Sequence, residues 1–193
     1  MGNYTEAERE SLRNWNDEFR RDGVFDITSD RNPLYNCIGY AMGTMYHFVA
    51  LGRPDGLPWC WWPPKATYSE APDSLKEAFE SLGFVETQDP NVENGFDKVA
   101  LYEKGGKWKH AARIEADNQY HSKLGIEYDI IHRAGDVFHD VDYGDIYAYM
   151  KRPVGDRNLT QQRLPAIGTM KYNGQRYLAM VENGRTVGLL PIK

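Results

Sequence analysis

The stretch Asn36-Cys37-Ile38-Gly39-Tyr40-Ala41-Met42-Gly43-Thr44-Met45-Tyr46-His47-Phe48-Val49-Ala50-Leu51 decides the fold. Cys37, Tyr40, Ala41, Thr44, Met45 and Phe48 share one face at helical spacing, and much of the remainder is also apolar, which predicts a largely buried helix with a cysteine at its start and a stop at Gly52. Upstream, Thr5 and Glu8 form a capping box, and Leu12, Trp15 and Phe19 make a narrow apolar stripe, predicting a surface helix from Thr5 to Arg21. Residues 22–36 read as loop. Downstream, residues 53–72 hold five prolines together with Trp59, Trp61 and Trp62, a composition that excludes regular structure and predicts a long aromatic loop. Ser74 and Glu77 make a second capping box, opening a short helix closed by Gly83.

After Gly83 the pattern changes to short β segments: Phe84 to Thr87, Lys98 to Tyr102, Trp108 to Ile114, Tyr120 to Leu124 and Ile146 to Met150. Turns at residues 104–107 and 116–119 separate them and predict an antiparallel sheet. Two Asn-Gly pairs, Asn173-Gly174 and Asn183-Gly184, predict two tight hairpins and hence a three-stranded meander over residues 164–191.

Composition narrows the function. With 193 residues, 41% of them hydrophobic, the chain is long enough to bury a core without staples. Two cysteines are too few for a disulfide framework or a Cys-based structural zinc site. A net charge of −5 with scattered basic residues leaves no footprint for nucleic acid. No apolar run reaches a membrane span, and the first residues lack a signal-peptide pattern, so neither membrane nor nucleic acid is expected as a partner. The location expected is the cytoplasm, or outside the cell without a classical signal peptide.

The order of loop, cysteine-led helix, long loop, helix and then strands carrying His110 has a chemical logic. Free amides at a helix start favour a thiolate and form an oxyanion hole. A histidine on a neighbouring strand takes the thiol proton and later returns it to the leaving group, and a third polar group fixes the imidazole. Cys37 taken alone is better explained as an inert core residue; its place at a helix start, with His110 downstream, favours the nucleophile.

Asn36-Cys37-Ile38-Gly39-Tyr40 resembles the Asp-Cys-Ser-Gly-aromatic motif that opens the catalytic helix of NlpC-type papain-like cysteine peptidases and amidases. His110-Ala111-Ala112-Arg113-Ile114, a turn and Tyr120-His121-Ser122 are similar to their histidine strand and the strand after it. Tyr35-Asn36-Cys37, Trp61-Trp62-Pro63, Lys98 to Tyr102, His110 to Arg113 and Ser122 to Gly125 resemble more closely an uncharacterised group of that superfamily. The resemblance covers residues 33–150. It implies an α+β papain-like core, residues 1–155, with the catalytic helix packed on an antiparallel sheet and residues 156–193 as a C-terminal β-meander accessory. It further implies a cysteine hydrolase or acyl-transfer enzyme acting on an amide bond, without metal or organic cofactor. Cys37 is then the nucleophile, His110 the base and acid, and Ser122 the orienting group, with His121 the alternative, since alternation puts the two on opposite sheet faces. The substrate implied is a peptide or protein, peptidoglycan peptides among them, reached by secretion, by phage lysis or within the cytoplasm. Two other readings stand beside it: an inactive papain-like fold used as a binding module, and a deamidase or transglutaminase-like effector.

Asn36, Trp61, Trp62 and Arg113 complete the candidate site as substrate-binding residues. The tryptophans either wall the cleft or cover the sheet, and Arg113 is either an anion binder or an exposed strand charge. Cys60 reads as packing and His47 as structural or rim. His132 and His139, with Asp136 and Asp140, fit no standard zinc spacing and read as solvated or capping.

Overall fold

The computed structural model describes residues 4–21, 24–51, 60–115, 119–133, 135–157, 164–182 and 185–192. Its architecture is mixed α+β and dominated by antiparallel sheet. Seven strands, β1 (Phe25–Ile27), β2 (Val85–Thr87), β3 (Phe96–Lys104), β4 (Lys107–Glu115), β5 (Gln119–Lys123), β6 (Asp129–His132) and β7 (Asp145–Pro153), pair in the order β1-β6-β5-β4-β3-β7-β2. Both faces of the sheet are covered, which is why Val99 to Tyr102 at its centre are all buried rather than alternately so. On one face Val99, Leu101 and Ala111 pack with Ile38, Met42, Leu75 and Phe79. On the other, Ala100, Tyr102 and Ala112 pack with Leu12, Phe19 and Phe138. Leu12 comes from α1 (Glu6–Trp15), Ile38 and Met42 from α2 (Cys37–Met42), and Leu75 and Phe79 from α3 (Pro72–Glu80), while Phe19 lies in a 3-10 turn and Phe138 in a loop.

The cysteine-led helix is much shorter than its hydrophobic run predicts. Gly43 adopts a left-handed conformation, φ 95°, and its N–H bonds back to the carbonyls of Gly39 and Tyr40, which stops α2 after six residues. The chain then folds back along the helix. Asn36 fastens this return: its Oδ1 accepts from the N–H of Gly39 at 3.0 Å and of Val49 at 3.1 Å, while its Nδ2 donates to the Val49 carbonyl at 2.8 Å. The return runs so close that a Cβ on Gly39 would lie 2.1 Å from the His47 carbonyl oxygen. Apolar periodicity across residues 43–51 therefore reports burial of a loop, not a helix.

Other expectations need correcting in the same way. The first helix ends at Trp15, because Asn16 turns out of it, caps a 3-10 turn at Asp17–Arg20 and donates to the Val137 carbonyl. The Thr5–Glu8 capping box is present. In α3, Pro72 takes the first turn and Ser74 is a buried interior residue; Glu77 instead accepts from the Thr67 N–H at 2.7 Å, so the second capping box does not form. Residues 25–27, within the stretch that reads as loop, are β1, and they pair with β6 (Asp129–His132), for which the sequence offers no strand signal; both are too short for periodicity to register.

Residues 164–192 form a separate antiparallel sheet of β8 (Ala166–Tyr172), β9 (Gln175–Glu182) and β10 (Arg185–Ile192), in the order β10-β9-β8. Asn173, φ 47°, and Gly174, φ 79°, make the tight turn between the first two. Asn183-Gly184, Gly52, Trp59 and residues 116–118 lie outside the described residues. Met180 and Leu164 reach the core around α2, which ties this sheet to the main one.

Candidate active site

Cys37 is the first residue of α2, immediately after the capping Asn36, and it is 7% exposed. Its sulfur sits where the sheet opens. The β4–β5 ladder ends at the pair Ala112↔Ser122, and one step further the N–H of Ala111 turns to the Cys37 thiol. The backbone N–H groups of Ile38 and Cys37 also face the sulfur. These three donors favour a thiolate, but burial outweighs them and pushes the thiol up to about 11.

His110, the residue before Ala111, is fully buried. Tyr143 stacks on its ring at 4.2 Å between centroids, nearly parallel, and Tyr102 and Phe138 meet it edge-on. Its Nε2 lies 3.0 Å from Ser122 Oγ, and the same hydroxyl lies 2.8 Å from His132 Nε2. A hydroxyl has one proton and two lone pairs, so at most one of the two imidazoles accepts from it. With that proton between the rings, the rings are opposite tautomers. His110 Nδ1 has no hydrogen-bond partner. Burying an unpartnered N–H costs more than burying a lone pair, because an orphaned donor is the rarer state in folded proteins. The arrangement favoured is His110 Nε2–H to Ser122 and Ser122 O–H to His132, leaving an unprotonated Nδ1. Burial and the neighbouring His132 hold His110 well below the ordinary histidine range, so the ring is neutral.

Of the two candidates for the orienting group, Ser122 shares the face of His110; His121 points to the opposite face, where it stands across from Arg113. His132 is corrected: it is a buried strand residue in this chain of bonds, not a solvated loop histidine. Its signal in sequence is weak, four residues of strand in a polar stretch. His139 is exposed and pairs with Asp145. Among the described residues no group of three His, Cys, Asp or Glu side chains is placed to hold a metal ion.

The proposed substrate-binding residues take other positions. Asn36 is the clamp of the α2 return, and its amide explains why Asn stands before the cysteine: a carboxylate has no donor for the Val49 carbonyl. Trp61 is buried in the core and pairs with Val49, while Trp62 stacks on Trp108 at 5.5 Å; the cavity they line with Cys60 and Ala66 does not include Cys37. The guanidinium of Arg113 lies over Tyr40 at 4.8 Å, beside a polar cavity at the far end of α2. His47 is structural: its ring bridges Thr44 and the Pro165 carbonyl, each at 2.7 Å. A groove of about 410 Å³, lined by Leu12, Trp15, Leu124, Tyr128 and Tyr143, runs along the outer side of the ring that covers His110.

Four residues outside the site set expected from sequence bear on it: Lys123 and Tyr143 interact electrostatically with the Cys37 thiol, and Asp129 and Tyr35 with Lys123. Lys123 is fully buried, 3.9 Å from Asp129 Oδ1, and its Nζ donates to the Glu127 carbonyl. The Tyr35 hydroxyl donates to Asp129 Oδ2 at 2.6 Å, and Lys123 Nζ stands 5.2 Å above the Tyr35 ring. Tyr143 completes the set.

Fold and site together define a mixed α+β protein with a thiol at a helix start and a neutral, oriented histidine on the adjoining strand. A family profile described as "Domain of unknown function (DUF7689)" matches residues 26–151, and the chain belongs to that family. No curated protein and no solved structure matches the chain. No helix among the described residues is long and apolar enough to cross a membrane.

Proposed function

We propose that this chain is a cysteine hydrolase or acyl-transfer enzyme of the NlpC-like, papain-like kind, acting on an amide bond of a peptide or protein. The observation that carries the reading is the division of labour on His110: Nε2 is held by Ser122 while the buried Nδ1 is unpartnered. A base with one ring nitrogen anchored and the other free suits the removal of a proton from a thiol. Cys37 Sγ attacks the carbonyl carbon as its proton passes to His110 Nδ1. The developing oxyanion takes donors from the amides at the start of α2, and His110 then protonates the leaving amine. Water releases the acyl group in a hydrolase; an amine does so in a transferase, and attack on a side-chain amide makes the same site a deamidase. Action in the cytoplasm, or after export without a classical signal peptide, belongs with this reading.

A second reading, a binding module on the same fold, draws on the closed state of the site: a nearly inaccessible thiol of raised pKa, and Tyr143 stacked across His110. Alkylation by iodoacetamide at neutral pH separates the two. The enzyme reading expects Cys37 to react faster than Cys60 and Cys37→Ala to abolish turnover of any peptide the parent cleaves. Cys37 reacting no faster than Cys60 would leave the binding module as the better account.

A further inference from the structure

A buried ammonium lies beside the buried thiol. Lys123 sits on the same sheet face as Ala111, one step beyond the last β4–β5 pair, so the two residues flank the opening that receives Cys37. Nothing in packing calls for a lysine at a fully buried position, where a charge costs several kcal/mol in desolvation and an apolar side chain of similar volume does not. Its surroundings hold it without saturating it. The ammonium has three donors, and among the described residues its one hydrogen bond is to the Glu127 carbonyl. Asp129 Oδ1 stands at 3.9 Å, too far for a hydrogen bond, and is itself unpartnered, while Oδ2 is taken by Tyr35. The charged and titratable groups that interact with Lys123 or with the thiol beside it are Asp129 from β6, Glu127 from the turn before it, Tyr35 from the approach to α2 and Tyr143 from the segment before β7.

We propose that Lys123 is a positioning residue for the thiolate: its ammonium, held in place by Asp129 and Tyr35, supplies the positive charge that lets Cys37 ionise inside the protein. This rests on Cys37 being the nucleophile. Burial makes both Cys37 and His110 neutral, so proton transfer between them creates two charges in a low-dielectric site. A third group that is already cationic offsets the negative one. Lys123 is itself drawn down to about 8 by burial, with Asp129 and Cys37 pulling the other way, so it remains protonated at neutral pH.

The test is the pH dependence of Cys37 alkylation by iodoacetamide, read by mass spectrometry in the full chain, with Cys60 as internal reference. In Lys123→Met the midpoint should move up by about one pH unit or more, with at least tenfold slower labelling at pH 7, and Lys123→Arg should keep the midpoint near that of the parent. An unchanged profile in a Lys123→Met protein with native near-ultraviolet circular dichroism overturns the assignment. Should that variant not fold, reciprocity supplies the other arm: the Lys123 Nζ titration, followed by NMR, should fall in Cys37→Ser relative to the parent, and an identical titration overturns the assignment equally. If parental Cys37 labels no faster than Cys60, the nucleophile itself is lost and this role with it; if Cys37 labels fast and only the Lys123 arms fail, the nucleophile stands and the role alone falls.

Discussion

Ser122→Ala removes one oxygen atom and breaks two contacts, at 3.0 Å to His110 Nε2 and 2.8 Å to His132 Nε2. All three residues are fully buried, so no water replaces the hydroxyl without rearrangement. Each ring nitrogen left unsatisfied costs about 1–3 kcal/mol. Relief of the hydroxyl's own desolvation offsets part of this, and the net loss expected is about 2–4 kcal/mol. For a chain of this length that lowers Tm by roughly 4–16 °C, at about 2–4 °C per kcal/mol. Thermal melts and urea titrations at pH 7.5 measure it. Long-range nitrogen–proton NMR on the parent supplies the mechanistic half: His110 should be the Nε2–H tautomer and His132 the Nδ1–H tautomer, as follows when the hydroxyl proton lies between the two rings. Two rings in the same tautomer, or a Ser122→Ala protein within about 0.5 kcal/mol of the parent, would refute the relay argument.

Gly39→Ala should destabilise by about 3 kcal/mol, although alanine is favoured over glycine in helices by about 1 kcal/mol. The new Cβ meets the His47 carbonyl oxygen at 2.1 Å, and moving that strand strains the Asn36–Val49 clamp; an equal or higher Tm would defeat the close-approach reading. Acidification from pH 6.5 to 5.5 should also destabilise. Burial lowers the folded-state pKa of His47 and His110, so below their unfolded value near 6.5 the unfolded chain takes up protons that the folded chain refuses. Stability is full above that value and falls as pH drops towards the folded pKa, by up to about 1.4 kcal/mol per pH unit for each histidine. His139, raised by Asp145, works in the opposite sense and shallows the slope. A urea midpoint that does not move over this window contradicts the neutral buried state assigned to His110.

Much of the β architecture is legible in the chain because it rests on local signals. β3, β4 and β7 contain the segments expected from periodicity, β5 contains its own except Leu124, and the turn at Asn173-Gly174 lies where its residue types require positive φ. β1 and β6 are not legible, since strands of three and four residues at one edge of the sheet carry too few alternations to stand out. The candidate site divides along the same line. Cys37, His110 and Ser122 are recognisable by type and spacing. Lys123 and His132 are not, because charged and polar residues are ordinarily solvated and only the assembled sheet makes these two buried.

The sequence by itself determined the element types, a cysteine at the start of a helix and a histidine on a later strand, since propensity, capping and turn chemistry act over a few residues. Tertiary structure decided the rest. It cut a sixteen-residue apolar run to a six-residue helix, because Gly43 and the Asn36 clamp turn the chain back on itself. It put Ser122, and not His121, beside His110, because strand register fixes which face each side chain occupies. It also buried Lys123 and Asp129 side by side, because burial, unlike periodicity, depends on every element packed around the group.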